Sequence, residues 1–326
     1  ADRAFDEYAA LTGRRYARAT GYRSEDASYL AIGQGSVVYN LEEVCDHLRS
    51  VEGIDVGVVN MTMFRPFPGD LIAALLRGKR AAVVLERVDQ PLAGDPPLLR
   101  EIRGSVLKGL ENGRTGDAPT PHPGLPAIAA DEAPRLHSAC YGLGSRDIQP
   151  GDLIAAIKSM LPDGARRSRF YLGVDFLRGR SGAAAVTSHQ EVLRQSYPGL
   201  EEIELPPEEN VNLLPDDSVA LRIHSVGGWG AITMGKNLAL TLSDLIGLHV
   251  KANPKYGSEK KGQPTTFYAV LSRKPLRLNC DLKHVNVVLS PDPNVFRHSN
   301  ALAGLAEREA AGYGTHLPAG SLITRT

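Results

Sequence analysis

The sequence predicts an α/β protein of two domains, the first built on a parallel β-sheet covered by helices. The chain has 326 residues, of which 42% are hydrophobic and 23% charged, and a globular chain of this length favours two domains over one. Apolar runs of strand length alternate with helical patterns through the first half. A polar, turn-forming stretch then precedes a second strand–turn–helix pattern. We therefore expect domains of residues 1–165 and 166–326.

The first half alternates strands and helices in the order that builds a parallel sheet. Apolar runs end in Gly or Pro, and the helical segments carry apolar residues three and four positions apart. The expected strands are 28–35, 55–64 and 81–88, and the expected helices are 41–49, 69–78 and 96–110. Residues 112–134, rich in Pro, Gly, Asp and Ala, predict a surface loop, and order returns at 140–161 with a helix that Pro150 starts. This βαβαβα pattern implies a parallel sheet.

The second half begins after the polar stretch PDGARRSR at 162–169, where we place the domain boundary. A second polar connector precedes an alternating strand, a glycine-rich turn and a helix. The segments in order are a connector at 205–217, a strand at 218–228, a helix at 232–247, a hairpin of 265–272 with 274–280, and a buried strand at 285–296. No internal repeat is present. The second half therefore also predicts an α/β domain.

Charge and cysteine content exclude several classes of function. Lys plus Arg and Asp plus Glu both number 37, and this balance argues against a nucleic-acid or membrane binder, which usually carries a basic excess. The chain has 3 cysteines, Cys45, Cys140 and Cys280, and none forms a CxxC pair. A zinc or iron–sulfur site built from this chain alone is therefore not expected. Sparse, odd cysteines suit a reducing compartment, and we expect a cytoplasmic protein.

Other signatures are missing from the sequence. It has no apolar run of about 18 residues, no signal peptide, no metal-type histidine spacing and no GxSxG elbow. We assign no metal ligand and no catalytic residue. The chain opens with Ala1 rather than Met, and we interpret it as a processed or excised piece of something longer.

The stretch HSVGGWGAITMGKN, residues 224–237, is the first candidate site. A strand, a glycine turn and a helix together present free backbone N–H groups at the helix start, and these amides with the helix dipole bind anions. The glycines allow a phosphate to come close. The alternative is a tight turn whose glycines only permit close packing. Trp229, the only Trp of the chain, favours contact with a ligand or another domain, because an exposed indole carries a large apolar area.

The second candidate is KANPKYGSEKKGQPTT, residues 251–266. Lysines mixed with Gly and Ser suit a loop that contacts phosphates; the lysines are Lys251, Lys255, Lys260 and Lys261, with Tyr256 and Ser258 between them. The alternative is a solvated basic loop. Two other features favour structural roles. Ser36 in the turn GQGS is expected to cap a helix, and Glu86 beside Arg87 is expected to form an interface ion pair.

Several motifs together resemble a known family. LTGRRY (11–16), GQGS (33–36), VGVVNMTMFRPFPGDLI (56–72), VVLERVDQP (83–91) and CYGLGSRDIQP (140–150) are similar to the transketolase-C-terminal-like domain of pyruvate:ferredoxin oxidoreductases and related 2-oxoacid:acceptor oxidoreductases. IHSVGGWGAITMGKNLA (223–239), KYGSEKKGQPTT (255–266) and VVLSPDP (287–293) resemble the gamma domain, a Rossmann-like α/β domain. The usual gamma loop reads GGQGA, so Trp229 stands where the family has Gln.

The resemblance implies a role within a larger enzyme. Members of the family decarboxylate a 2-oxoacid with coenzyme A (CoA), giving acyl-CoA, CO2 and reduced ferredoxin or flavodoxin. They need thiamine diphosphate and [4Fe–4S] clusters, and the sequence has no thiamine signature and no cysteine cluster. The resemblance therefore implies that thiamine-binding and ferredoxin-like modules outside this chain hold these groups. The full enzyme is expected to be a homodimer, with the first domain supplying interdomain and dimer surface.

The same resemblance gives both candidate loops a joint role at CoA. Backbone amides of the glycine turn would receive one phosphate, and Lys260 or Lys261 would balance another. The implied partial CoA site comprises Gly227, Gly228, Trp229, Gly230, Ala231, Tyr256, Ser258, Lys260 and Lys261. Pyruvate is the expected substrate, with indolepyruvate and 2-oxoglutarate as alternatives.

Two alternative functions stay open. The chain is, in one, a non-catalytic interaction scaffold derived from the enzyme. In the other it is a nucleotide-binding dehydrogenase, which the strand–glycine–helix pattern suggests. This second alternative ranks last, because the acidic residue expected about 20 positions after the turn at the end of a strand is missing and Asp244 lies inside the predicted helix.

Overall fold

A computed structural model describes residues 1–116, 119–174, 188–255, 262–291, 300–306 and 321–324, with the backbone alone for 188–190 and 321–324. The chain divides into two compact units, unit 1 of residues 1–211 and unit 2 of residues 212–326. Both are α/β, as the sequence predicts. In its described part no helix has the length and apolar character needed to cross a lipid bilayer.

Unit 1 consists of a central sheet with helices on its faces. Its strands are β1 (Ala19–Tyr22), β2 (Tyr29–Gly33), β3 (Val56–Met61), β4 (Ala81–Glu86), β5 (Arg135–Cys140) and β6 (Arg169–Tyr171). Its helices are α1 (Asp2–Thr12), α2 (Val37–Val51), α3 (Gly69–Leu76), α4 (Pro97–Gly113), α5 (Pro150–Lys158), α6 (Ser188–Ser196) and α7 (Gly199–Ile203), with short 3-10 turns at Ala130–Glu132 and Leu143–Ser145. The predicted strands and helices of the first half are all present.

The sheet of unit 1 has the order β1-β3-β2-β4-β5-β6. All neighbouring pairs are parallel except β1 with β3, which is antiparallel. Strands β2, β3 and β4 are buried almost throughout, because helices cover both faces of a parallel sheet. The prediction of a parallel sheet is therefore confirmed, while the edge strand β1 is an addition that the sequence pattern did not indicate.

The core of unit 1 lies on both sides of this sheet. Helices α3 and α4 pack together over one face and contribute to a cluster formed by Leu30, Ile32, Val59, Met61, Ile72, Leu76, Ala82, Val84, Leu98, Leu99, Ile102 and Val106, among others. Helices α2 and α5, which contact each other, cover the opposite face. Apolar residues on alternating positions of β2 and β4 thus define one side of the core.

Unit 1 extends well beyond the expected boundary at residues 165 and 166. Strand β6 pairs in parallel with β5 and completes the sheet. The backbone N–H of Leu205 donates to the oxygen of Tyr171 at 3.0 Å, and that of Glu208 donates to the oxygen of Gly151 at 3.0 Å. Residues 166–211 therefore complete the first unit rather than begin the second, because their hydrogen bonds run back to it.

The polar residues at the ends of β2 and β4 have structural partners that differ from the expected ones. The Glu86 carboxylate accepts hydrogen bonds from the backbone N–H groups of Leu98 at 2.6 Å and Leu99 at 3.1 Å, so it occupies the N-terminus of α4 rather than pairing with Arg87. Ser36 stands at the N-cap of α2, but its side chain makes no capping hydrogen bond.

All three thiols are buried. Burial raises the pKa of the Cys140 thiol from 9.0 to about 12. The Sγ of Cys45 donates to the oxygen of Val56 at 3.1 Å, and that of Cys140 donates to the oxygen of Val88 at 3.3 Å. These contacts make the unit 1 thiols part of the packed interior.

In its described residues, unit 2 is a mixed sheet with one long helix. Its elements are β7 (Val219–Val226), α8 (Ala231–Ile246), β8 (His249–Lys255), β9 (Pro264–Ser272), β10 (Val287–Ser290) and β11 (Ser321–Thr324). The strand order is β11-β10-β7-β9-β8. Strands β7, β10 and β11 are parallel to one another, and β8 and β9 run antiparallel to their neighbours. Parallel β7 and β10 with the helix between them form the Rossmann-like part of this unit.

The prediction of a hairpin between residues 265–272 and 274–280 is wrong. Strand β9 pairs with β7 and with β8, and the described backbone at 274–280 carries no strand. The actual hairpin is β8 with β9, so the first part of the expected basic loop is a strand. Lys251 donates to the oxygen of Arg277 and Lys255 pairs with Asp281, so both lysines are engaged within unit 2.

Helix α8 packs on the sheet through small residues. Only Ala231, Gly235 and Ala239 are buried among its side chains. A Cβ at Gly235 would lie 2.4 Å from the Phe267 ring, so glycine is required there to bring the helix close to β9. Ile232 packs partly buried against the core, and most of the other large apolar side chains of the helix lie on its exposed sides.

Strand β7 carries two buried basic side chains on the face opposite α8. Arg222 donates to the oxygens of Leu282 at 2.9 Å and Ala303 at 2.5 Å, which ties these segments to the strand, and burial lowers the pKa of its guanidinium. His224 follows two residues later, and its Nδ1 is buried without a hydrogen-bond partner among the described residues. Burial, with a smaller contribution from Arg222, lowers the pKa of His224 from 6.5 to about 4.

Candidate functional site

The glycine turn joins the carboxyl end of β7 to the start of α8. Gly228 and Gly230 have φ angles of 102° and 77°, which side chains rarely adopt, and Gly230 is the N-cap of the helix. An added Cβ at either position would meet no atom within 4 Å. Glycine is therefore needed here for the backbone conformation, and the space in front of the turn is open.

The amides of the turn divide into two groups. The N–H of Gly227 donates to the oxygen of Gln263 at 2.8 Å, and that of Trp229 donates to the oxygen of Val226 at 3.3 Å. Those of Gly228, Gly230 and Ala231 have no hydrogen-bond partner among the described residues, and the first turn of any helix leaves its amides unpaired. The free amides are the three that the anion-site hypothesis requires.

A cavity of about 430 Å³ lies at this turn. Its lining residues are Val226, Gly227, Gly228, Gly230, Ala231, Ile232, Thr233 and Thr265. The structure thus brings four of the predicted site residues to one cavity. Trp229 is not among the lining residues, and its side chain is 56% exposed beside them.

Two polar lining residues were not predicted from the sequence. Thr233 stands in the first turn of α8, and Thr265 stands at the start of β9, opposite Ser225 of β7. The Thr233 hydroxyl can donate to a bound anion, whereas the Thr265 hydroxyl donates to the oxygen of Gln263 at 3.3 Å. A polar residue in the first helical turn was a signal available for Thr233. Thr265 had no such signal, because its position depends on strand pairing.

Tyr256, Ser258, Lys260 and Lys261 lie outside the described residues. The described chain resumes at Gly262, whose N–H donates to the oxygen of Gly227 at 3.2 Å. The end of the β8–β9 connection is therefore hydrogen-bonded to the glycine turn. The convergence of the two loops stays a prediction for the four residues themselves.

The electrostatics of the described cavity come from the backbone. The lining residues include no charged side chain, so the positive potential arises from the free amides and the N-terminal end of the α8 dipole. His224 lies two residues before Val226, and its lowered pKa keeps it neutral at pH 7. The described residues of the turn therefore offer donors to one anionic group.

The described residues offer no site for a metal ion or a metal cluster. They include no group of three or more His, Cys, Asp or Glu side chains that could hold a metal ion. The chain has 3 cysteines, fewer than the four thiolates that hold an iron–sulfur cluster. The residues described here therefore fit a phosphate and do not fit a cluster.

The fold and the glycine turn together indicate the class of protein. The chain is an α/β protein with two separate modules, and the second carries a strand–glycine turn–helix unit of the kind that cofactor-binding α/β proteins place at a helix start. Residues 27–115 match the family model "Pyruvate:ferredoxin oxidoreductase core domain II", and residues 220–315 match "Pyruvate ferredoxin/flavodoxin oxidoreductase". Both models describe modules of pyruvate:ferredoxin oxidoreductases, which confirms the resemblance found in the motifs.

Curated relatives include enzymes and single subunits. The chain is 24% identical over 278 residues to a probable pyruvate-flavodoxin oxidoreductase of Escherichia coli, an alignment covering 85% of this chain and 20% of the relative. It is 31% identical over 155 residues to pyruvate synthase subunit PorA of Thermotoga maritima, covering 48% of this chain and 34% of that subunit. The chain thus spans about a fifth to a third of these relatives.

Among solved structures, the pyruvate oxidoreductase subunit PORC of Thermotoga maritima matches with 22% identity and a TM-score of 0.24, covering 34% of this chain and 51% of that one. A 2-oxoglutarate:ferredoxin oxidoreductase of Magnetococcus marinus, solved with 2-oxoglutarate, coenzyme A and succinyl-CoA bound, matches with 20% identity and a TM-score of 0.23, covering 26% of this chain and 14% of that one.

Proposed function

We propose that the chain is a central segment or subunit of a thiamine-diphosphate-dependent 2-oxoacid:ferredoxin or flavodoxin oxidoreductase that acts on pyruvate. Its two modules supply interdomain and dimer surface, and unit 2 supplies part of the CoA site. The observation that carries this proposal is the order of the two family matches, core domain II at residues 27–115 followed by the second module at 220–315. The names of the curated relatives support pyruvate as the substrate.

The cavity at the glycine turn supports a role in holding a CoA phosphate. Free amides of Gly228, Gly230 and Ala231 point to an anion rather than a cation, because N–H groups only donate. Each hydrogen bond from an amide to a charged phosphate contributes about 1.5–3 kcal/mol. Thr233 adds a hydroxyl donor at the edge of the same cavity.

The Lys-rich segment would supply the second charge. Lys261 is bonded directly to Gly262, and Gly262 is hydrogen-bonded to Gly227 of the turn. This connectivity supports Lys261 and Lys260 as the residues that balance another phosphate of CoA, with Tyr256 and Ser258 between the strand and the lysines. Because Lys251 and Lys255 are engaged within unit 2, they take no part.

The group that CoA supplies is a thiol that accepts the acyl unit, and this chain's residues would bind and orient its phosphates. Thiamine diphosphate, the clusters and the ferredoxin or flavodoxin partner belong to modules and proteins outside these residues. The glycine turn holds the carrier, and no described residue is assigned a proton-transfer or bond-breaking step. Unit 2 is therefore a binding module in this proposal.

Titration of CoA onto the chain tests the site. Gly230→Ala places a methyl group on the cavity wall and strains a left-handed residue, so CoA affinity should fall at least tenfold, measured by calorimetry. Gly247→Ala is the matched control, because Gly247 has a φ of 74° and open space at the other end of the same helix. Equal affinity in the two variants would contradict the proposal.

The lysines and the whole reaction need separate measurements. The double variant Lys260→Ala, Lys261→Ala should weaken CoA binding, while Lys274→Ala, at another exposed basic position of unit 2, should leave it unchanged. In the complete assembly, CoA-dependent reduction of ferredoxin should be fastest with pyruvate. Faster reduction with indolepyruvate or 2-oxoglutarate would replace the substrate, and no reduction with any of them would favour an interaction scaffold.

A further inference from the structure

Unit 1 contains a cavity at the C-terminal end of helix α5. Its volume is about 510 Å³, a size that suits a small organic molecule better than a single ion. Ala155 and Ser159 border it from the helix, and all of its lining residues belong to unit 1. We call it the α5 cavity. It takes no part in the CoA site proposed for unit 2.

A buried hydroxyl group borders the α5 cavity. Ser159 is 3% exposed, lines the cavity, and its Oγ has no hydrogen-bond partner among the described residues. Its backbone groups are both engaged, because its N–H donates to the oxygen of Ala155 at 2.8 Å and its oxygen accepts from the N–H of Arg166 at 2.8 Å. A buried hydroxyl almost always has a partner. Ser159 therefore offers an unused donor and acceptor to a molecule in the cavity.

The charges around the α5 cavity favour a cation. The Lys158 ammonium lies 2.8 Å from the Glu52 carboxylate, so these two lining residues balance each other. The carboxylates of Asp163 and Glu208 also line the cavity and have no ion pair or hydrogen bond among the described residues. The C-terminal end of a helix adds a partial negative charge. Two negative charges are thus left to be balanced by a ligand.

The walls that carry the two free carboxylates are held in place. At Gly164, an added Cβ would lie 2.2 Å from the oxygen of Lys158, so the chain beside Asp163 packs directly on the end of α5. The backbone N–H of Glu208 donates to the oxygen of Gly151, the second residue of the same helix. The α5 cavity is therefore preformed, and a ligand would not have to order its walls.

The remaining lining residues select the kind of cation. Ile54, Leu161 and Leu205 give the cavity apolar walls, which suit a hydrocarbon chain. A metal ion does not fit, because no group of three or more His, Cys, Asp or Glu side chains that could hold one occurs in the described ranges. Two carboxylates and an apolar wall match two ammonium groups joined by methylenes.

We propose that the α5 cavity binds a small linear aliphatic diamine. Its ammonium groups balance Asp163 and Glu208, and one of their N–H groups donates to the Ser159 hydroxyl. The bound diamine contacts the segment after α2, the end of α5 and residues 205–208, so it should stabilise unit 1 against unfolding.

Titration of putrescine, 1,4-diaminobutane, onto the full chain tests the site. Calorimetry at constant ionic strength should show one site per chain, and 1,4-butanediol, which has the same carbon chain without charge, should bind at least tenfold more weakly. At a hundredfold excess over its Kd, putrescine should raise the melting temperature by about 4 °C or more. Absence of putrescine binding, or equal binding of the diol, would overturn the proposal.

Charge-matched variants locate the diamine. The double variant Asp163→Asn, Glu208→Gln should weaken putrescine binding at least tenfold. The control Asp131→Asn, Glu209→Gln removes the same charge at exposed positions that do not line the α5 cavity, and it should leave the affinity unchanged. Equal affinities in the two double variants would assign the binding to net charge alone and overturn the proposal.

Ser159→Ala tests the hydroxyl, and the complete enzyme tests the space. The variant should bind putrescine about fivefold more weakly, the effect of one hydrogen bond. The melting temperature of the ligand-free variant should not fall, because the hydroxyl has no described partner to lose. Unchanged putrescine affinity would overturn the role of Ser159. In the complete enzyme the affinity should be the same, and loss of binding there would show that another module fills the cavity, which would also overturn the proposal.

Discussion

At the residue scale, burial sets the chemistry of strand β7. Arg222 is tied to backbone oxygens of two other segments, and His224 beside it has a buried Nδ1 without a partner among the described residues. Burial and the nearby guanidinium keep this imidazole neutral at pH 7. Unit 2 therefore carries a group whose protonation opposes folding.

The free energy of unfolding of unit 2 should decrease as the pH is lowered, because of His224. Its pKa is about 4 in the folded protein and 6.5 when exposed, so the unfolded chain binds the proton more tightly between these values. The contribution is fully present above pH 6.5 and is lost as the pH falls toward 4, by about 3 kcal/mol at 1.4 kcal/mol per pH unit. Urea unfolding followed by the emission of Trp229 at pH 7, 5.5 and 4.5 measures this slope.

Two variants isolate the contribution of His224. His224→Gln, which does not titrate, should have a shallower pH dependence than the wild type. His249→Gln, at an exposed position of β8, should keep the wild-type slope. If His224→Gln and the wild type lose the same stability between pH 7 and 4.5, the assignment to His224 is refuted.

Individual site residues were predictable where the backbone alone defines them. Gly228 and Gly230 follow from a pattern of strand, glycines and helix, and the structure gives both left-handed angles. Lys251 and Lys255 were assigned to a basic loop, although they are strand residues bonded to Arg277 and Asp281. Those partners are distant in sequence, so the pattern of lysines carried no information about them.

At the element scale, a side chain of one element fixes the start of another. The Glu86 carboxylate at the end of β4 accepts two backbone hydrogen bonds from the first turn of α4. It satisfies amides that would otherwise be buried without partners, and it complements the positive end of the helix. The prediction of an ion pair with Arg87 overlooked the unpaired N–H groups at the start of α4.

Replacing Glu86 should destabilise unit 1. Glu86→Ala removes both hydrogen bonds to the α4 amides and should cost about 1–3 kcal/mol. Thermal unfolding followed by circular dichroism measures the loss. Glu101→Ala is the control on the same helix, because its pair with Arg65 is exposed and should contribute about 0.2–1 kcal/mol. Equal losses in the two variants would show that Glu86 does not hold the helix.

The hairpin of β8 and β9 shows where pattern analysis of an element fails. Strand β8 contains Lys, Asn and Pro, which are depleted in strands, and its burial is low. It lies at the edge of the sheet, where Pro254 and the exposed Lys255 are tolerated. Helices α2 and α4 were predictable from the apolar residues on their buried side. The central strands were predictable because burial on both faces of the sheet leaves a continuous apolar run.

At the scale of the whole molecule, composition predicts where polar turns lie, but it does not predict which sheet the strand after a turn joins. The polar stretch at 162–169 is a turn between α5 and β6, and β6 completes the sheet of unit 1. The contact between Gly151 and Asn210, with N–H to Oδ1 at 2.9 Å, closes the unit from its far end. Two domains were predictable from length, and their boundary required the pairing of a three-residue strand.

Fragments should show where unit 1 ends. A fragment of residues 1–211 should melt at a higher temperature than one of residues 1–165, which lacks β6 and the hydrogen bonds of Leu205 and Glu208 to this unit. A loss of about 2 kcal/mol corresponds to roughly 4–8 °C for a unit of this size. Differential scanning calorimetry on both fragments measures it, and equal melting temperatures would restore the boundary to residue 165.

The buried thiols make it possible to measure local unfolding of each unit by alkylation. An alkylating reagent reacts with the thiolate, and the pKa of Cys140 leaves almost none of it in the folded state. Labelling of Cys45 and Cys140 then marks moments when unit 1 loosens, and labelling of Cys280 marks those of unit 2. Mass spectrometry of each labelled peptide over time would report how often each unit opens, without any engineered cysteine.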